Sequence, residues 1–221
     1  MAGRAKSRKK APQRAVAEET RKRLLAAGRR AFAAKGLGGT NLRDDILAPA
    51  KVSAGSFYHQ FSDKTELLLE ILDVDGAGVR EQVEKAPAPS GNDPARGVRD
   101  AFAVYFDMAD RNPWFVKIYI REYYSDDARV RRKIREHNAS TIRNVTHNLT
   151  RLNARTGLDI DAELGGLLIS NLAISVVNYY LGLPARERPA IRERLLAGMV
   201  DLLLGGIAAV RHHAKPAPDD A

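Results

Sequence analysis

The chain has 221 residues, with 36 Lys and Arg against 27 Asp and Glu and a formal net charge of +9. That is length enough for one large domain or two small ones. The absence of cysteine excludes disulfides, Cys-ligated zinc and thiol catalysis. The charge is concentrated: residues 1–64 hold 15 basic and 5 acidic side chains, a surplus of +10, and the remainder is close to neutral. A polyanion partner for the N-terminal segment alone is the economical explanation.

The elements follow in chain order. Residues 1–15 carry Arg4, Lys6, Arg8, Lys9, Lys10 and Arg14 with little apolar content, and composition assigns them to a disordered basic tail. A helix follows through Leu24, Leu25, Ala31 and Phe32 and stops at Gly36, a suitable C′ residue. Thr40 or Asn41 caps the next helix, which buries Leu42 and Ile46 and is ended or bent by Pro49. Ser53 stands where a helix N-cap is wanted. Phe57 and Phe61, four apart, share one face and can anchor that short helix to a core. Ser62 or Asp63 caps a long helix, and Asp63 with Glu66 three later suits a capping box. Ala86–Asn92 reads as a loop, and Pro94 restarts a helix that runs to Asn112-Pro113. An aromatic-rich helix holds Trp114, Phe115, Tyr119, Tyr123 and Tyr124. Ser125-Asp126-Asp127 caps a long polar helix closed by Gly157. Asp161 opens a helix apolar on nearly all faces, and a last helix starts at Pro189. No strand pattern appears, so the chain reads as all-α. The expected division is a tail (1–15), a three-helix helix-turn-helix domain (16–62), a helical effector-binding and dimerisation domain (63–213) and a frayed tail (214–221).

A helix-turn-helix needs a second helix that is thin where it enters the groove, polar toward phosphates and bases, and apolar behind. The segment from Ser53 to Phe61 has those properties. Ala54 and Ser56 are small, and Tyr58 and His59 can reach phosphate or base edges.

Phe32, Gly36, Thr40, Ile46, Ala50, Val52-Ser53, Gly55-Ser56-Phe57-Tyr58-His59, Phe61, Lys64 and Leu67-Leu68 together resemble the tetracycline-repressor (TetR) family of bacterial transcription regulators. The resemblance covers about residues 18–72; beyond them only the helical layout is similar. It implies a homodimer, each subunit with a DNA-binding head and a body that binds a small-molecule effector. It further implies that Thr40 and Lys64 meet phosphates, that Ser53 caps the recognition helix, that Ala54, Gly55 and Ser56 approach bases, and that Tyr58 and His59 contact phosphate or base edges. Lys51 departs from the pattern, standing where the family usually has glycine in the turn. If the backbone there is left-handed, lysine costs roughly 1 kcal/mol relative to glycine, and its ammonium is a candidate phosphate ligand.

Phe102, Phe106, Phe115, Tyr119 and Tyr123 are candidates for an effector pocket taking a mainly apolar or aromatic ligand; plain core packing is the competing reading. Asn171, Ser175 and Asn178 can orient a ligand or hydrogen-bond across a dimer seam. The basic run Arg129–Arg135 reads as a solvated face. The histidines are too scattered for a metal site, and no cofactor or catalytic constellation is expected. No apolar run of about 20 residues and no secretory h-region is expected either, which points to the cytoplasm and no membrane. The sequence reads as that of a ligand-responsive transcription regulator, a repressor, bound to a near-palindromic DNA operator. A basic DNA-coating protein without an effector is the alternative, and a helical small-molecule enzyme a more distant one.

Overall fold

The computed structural model describes residues 5–85, 93–157 and 159–207. Among the described residues every regular element is helical, as the sequence pattern requires. They are α1 (Ala5–Gly39), α2 (a π-type stretch, Leu42–Leu47, continued by one α turn, Ala48–Ala50), α3 (Ala54–Tyr58), α4 (Lys64–Lys85), α5 (Pro94–Arg111), α6 (Pro113–Arg121), α7 (Ala128–Thr156), α8 (Ala162–Gly182) and α9 (Arg188–Ile207). Residues 1–4, the loop expected at 86–92, His212-His213 and the tail from 214 lie outside the described residues. Residues 5–15, which composition assigns to disorder, are the first turns of α1. They are rich in Ala, Lys and Arg, all strong helix formers, and continue the same helix as the buried turns that follow.

The helices form two compact units. The first runs to Arg80 and adds Asn112–Ile134. The division therefore does not fall at 62/63: α4, α6 and the start of α7 pack with the head. The physical reason is the size of the head's helices. With only five residues, α3 cannot enclose a core, and the shared interior needs Leu67, Leu68, Ile71, Leu72 and Ile118 beside Leu24, Phe32, Ile46 and Phe57, all fully or almost fully buried. Arg29 forks onto both carboxylate oxygens of Asp75 (2.5–3.1 Å), and Arg21 pairs with Glu70, tying α1 to α4.

Gly36 breaks α1 as expected, at φ 71°, before one more helical turn reaches Gly39. The freed Leu37 N–H donates to Glu122 Oε1 at 2.6 Å, and Glu122, just past α6, is 4% exposed. A Cβ at position 36 would lie 3.0 Å from both Arg121 Cδ and Glu122 Oε1. Glycine is thus required by dihedral and by space.

A charged cluster joins the starts of α4 and α7. Arg129 donates to Asp63 (3.0 Å) and Asp127 (3.1 Å), and the buried Thr65 hydroxyl donates to Asp127 (3.3 Å). Asp63 also accepts from the Glu66 N–H (2.7 Å), whereas Glu66 reaches the Ser62 N–H and hydroxyl (2.6 Å each). The anticipated capping box is therefore closed one residue further out.

The second unit comprises 81–111 and the chain from Arg135. Here α5, α8 and α9 pack around Phe102, Phe106, Met108, Ala173, Val177, Tyr180, Leu196, Met199 and Leu203. Tyr180 stands edge-on to Phe106 and donates its hydroxyl to Asp110 (2.8 and 2.9 Å), while Arg192 donates to Asp107 (2.6 Å). On α8, a Cβ at Gly166 would fall 2.2 Å from Thr146 Oγ1 and 3.1 Å from the Thr146 nitrogen, so glycine lets α8 lie against the backbone of α7.

Contrary to the sequence expectation, α8 is long and apolar enough to cross a membrane. One stripe of it (Gly165, Gly166, Ile169, Ala173, Val177, Tyr180) is buried in the unit, as in the core helix of a globular body. Leu164, Leu167, Leu168 and Tyr179 remain exposed, as does Leu202 on α9.

Candidate nucleic-acid interface

The interface is built from the turn outward. Asn41 caps α2, its side-chain oxygen accepting from the N–H groups of Arg43 (2.9 Å) and Asp44 (3.1 Å). Pro49 has no N–H, and its ring cannot approach the carbonyl four residues back. The helix answers by widening: the Ala48 N–H bonds the Arg43 carbonyl, five residues back, so α2 is bent rather than ended. It closes with a Schellman pattern, Val52 N–H to Leu47 O and Lys51 N–H to Ala48 O, both 3.1 Å. That pattern demands a left-handed C′ residue, which is Lys51 at φ 54°, ψ 46°. Among the described residues it is the sole non-glycine with positive φ. The left-handed turn that the sequence made conditional is present, held by an exposed lysine.

Ser53 then caps α3 as expected. Its backbone is extended, and its Oγ accepts from the Ser56 N–H (3.1 Å) and lies 2.9 Å from Ser56 Oγ. Phe57 is fully buried and Phe61 is 4% exposed, with ring centroids 5.7 Å apart. They turn the opposite face outward: Ser53, Ala54, Gly55, Ser56, Tyr58 and His59 are all exposed. A Cβ at Gly55 would meet nothing within 4 Å, and the φ there is not positive. Neither packing nor dihedral calls for glycine, which costs a helix up to about 1 kcal/mol relative to alanine. What it leaves is room at the surface of α3.

Beside α3 lies an open depression lined by Asn41, Leu42, Arg43, Leu47, Ala48, Val52, Ala54 and Tyr58. Arg43, exposed in the first turn of α2, is a cation that sequence reasoning passed over. Its signal was the cap at Asn41, which places it at a helix start beside the turn. Lys35 pairs with Asp45 (2.6 Å), and this bond together with the Asn41 N–H holds the Asp45 carboxyl below the usual carboxylate range.

Two candidates sit differently from the rest. Thr40 is 3% exposed and its hydroxyl donates to the Gly36 carbonyl at 2.6 Å, so it is occupied inside the fold. Lys64 is half-buried, and its ammonium donates to the Thr40 carbonyl at 2.7 Å. Both fasten the entry to α2 in the free protein.

The five aromatic candidates divide between the units. Phe102 and Phe106 belong to the second, where Phe106 packs on Tyr180. Phe115, Tyr119 and Tyr123 belong to the first, with successive centroids of Phe115–Tyr119 and Tyr119–Tyr123 6.1 Å apart. Burial, then Tyr123 nearby, pushes the Tyr119 hydroxyl well above its ordinary pKa.

Residues 24–71 match the family model of bacterial regulatory proteins, tetR family. No curated protein matches the chain. Among solved structures the chain is similar to SCO4454, a TetR-family transcriptional regulator from Streptomyces coelicolor, with 25% identity, 86% of this chain and 97% of that one covered, and a TM-score of 0.63. It shares its fold with a TetR family transcriptional regulator from Chloroflexus aurantiacus (20% identity, 86% and 93% covered, TM-score 0.68) and with a transcriptional regulator from Rhodococcus (20%, 85% and 97%, TM-score 0.67). The capped, outward-facing α3 lies inside the matched segment, so residues 24–71 are similar to the tetR family of bacterial regulatory proteins in both sequence and helical layout.

Proposed function

We propose that this regulator is a cytoplasmic, homodimeric repressor that reads a near-palindromic operator through α3 and releases it on binding a mainly apolar or aromatic small molecule. The observation that carries the DNA reading is Gly55, a glycine without a packing or dihedral reason in the first turn of an exposed, capped helix. Ala54, Gly55 and Ser56 approach bases; Tyr58, His59, Lys51 and Arg43 supply donors for phosphates and base edges. Thr40 and Lys64 act as phosphate ligands only through groups not already engaged with Gly36 and Thr40. Footprinting on DNA flanking the gene tests this reading. Gly55→Ala should fold at least as stably as the parent and lose operator affinity, and unchanged affinity refutes close approach at α3.

Dimerisation is supported by the exposed apolar residues Leu164, Leu167, Leu168 and Tyr179 on α8 and Leu202 on α9. Two such helices from each chain make a four-helix bundle. Leu202 is 58% exposed in the single chain, so Leu202→Glu should sediment as a folded monomer; a dimer of unchanged affinity moves the seam elsewhere. The effector reading rests on the aromatic rings of each unit taken by itself, Phe102 and Phe106 in the second and Phe115, Tyr119 and Tyr123 in the first, which offer stacking area. Linkage requires that a releasing ligand bind more weakly when operator is present, and calorimetry with and without operator tests it.

A further inference from the structure

The near-neutral total beyond the head conceals one strongly cationic element. α7 carries eight Lys and Arg residues and a single acidic one, Glu136. Three cations of its first turns are engaged locally, Arg129 with Asp63 and Asp127, Arg131 with the carbonyls of Ser125 and Asp126 (2.7 Å each), and Lys133 with Asp73 (2.9 Å), while Arg132 is exposed.

Three of the later ones, Arg135, Arg143 and Arg151, are different. Residues four apart lie on one row of a helix, and Arg135, Ala139, Arg143, His147 and Arg151 form such a row, rising about 24 Å. Arg135, Arg143, His147 and Arg151 are all exposed. Among the described residues, Arg135, Arg143 and Arg151 have no hydrogen-bond or ion-pair partner. Asn144 and Asn148, also exposed, add neutral donors beside the row. The three arginines stand eight residues apart, about 12 Å along the axis, and a polyanion whose charges repeat along its length can meet each in turn. Guanidinium forks match phosphate oxygens two at a time. The row bears no aromatic ring on which a base could stack, so it suits a backbone rather than base edges.

We propose that this face of α7 is a second, sequence-independent contact for the phosphate backbone of duplex DNA, separate from the recognition helix. It does not rest on which sequence α3 reads.

The test uses the full chain and a 40-base-pair duplex of random sequence, with anisotropy titrations at three KCl concentrations. The parent, Ser56→Glu (a negative charge on the recognition face), the pair Arg143→Ala/Arg151→Ala, and all three changes together are compared. Both arginines are exposed, so circular dichroism should be unchanged. Each lost phosphate contact should flatten the slope of log affinity on log salt by about 0.9. The arginine pair should therefore flatten it by nearly 2, in the parent and in the Ser56→Glu background alike. Affinity within twofold of the reference in both backgrounds overturns the proposal. Loss confined to the background with an intact recognition face also overturns it, because the row would then act only through the head. Poly-glutamate competing as well as DNA at equal charge would overturn the assignment to nucleic acid.

Discussion

Lys51→Gly is the most revealing single change in this chain. Lys51 occupies the left-handed C′ position of α2 at φ 54°, ψ 46°, a conformation that costs an L-residue roughly 1–2 kcal/mol. Glycine removes that cost but adds freedom to the unfolded chain, offsetting roughly 0.4–1 kcal/mol. The net expectation is a gain of about 0.5–1 kcal/mol, or roughly 1–4 °C in Tm for a protein of this size. The lysine is exposed beside α3, so its loss should also remove one phosphate contact and flatten the salt dependence of DNA binding by about 0.9. Lys51→Ala separates the two effects, because it deletes the charge and keeps the Cβ. Thermal melts followed by circular dichroism, with binding titrations at three salt concentrations, read both. Gly should melt above Ala, and the two should share one flattened salt slope. Equal or lower stability of the glycine variant would refute the strain argument. A salt slope equal to the parent's would remove Lys51 from the interface.

Other expectations follow from the same contacts. Glu122→Ala should cost about 1–3 kcal/mol in urea unfolding, because the buried Leu37 N–H loses its acceptor; Glu122→Gln keeps an oxygen there and should restore most of it. Gly166→Ala should cost about 1–3 kcal/mol by overpacking, since the new methyl meets the Thr146 backbone nitrogen at 3.1 Å; a neutral melt would show that α8 slides freely on α7. Acid should loosen the junction of α4 and α7. Partial burial raises the Asp63 carboxyl, but the Glu66 N–H and Arg129 outweigh it, and the Arg129 hydrogen bond holds Asp127 low. Both groups are thus depressed, so their stabilisation is complete above the ordinary carboxylate pKa near 4 and is lost as pH falls through their lower folded values. Urea midpoints measured from pH 7 to pH 3 should fall below pH 4, and less steeply in Asp127→Asn.

Local rules determined much of this protein. The period of apolar residues made it all-α, Gly36 broke α1, Ser53 capped α3, and Phe57 with Phe61 fixed which face of α3 looks outward. Each of these depends on residues within about four positions along the chain, where spacing alone decides geometry. Pro49 announced a bend, though its form, a widened π turn closed by a left-handed lysine, depended on how α2 meets α3. What sequence could not carry was partnership at a distance. Thr40 looked like a free hydroxyl until Gly36's carbonyl took it, and Lys64 like a free cation until it met Thr40. The boundary at 62/63 dissolved because a five-residue α3 cannot enclose a core, so α4, α6 and the start of α7 complete it. The cations of α7 could be counted in the sequence. Tertiary structure alone decided which of them are consumed by Asp63, Asp73 and Asp127, because those carboxylates lie about 60 residues away along the chain, or immediately before the helix, and only folding sets their distance.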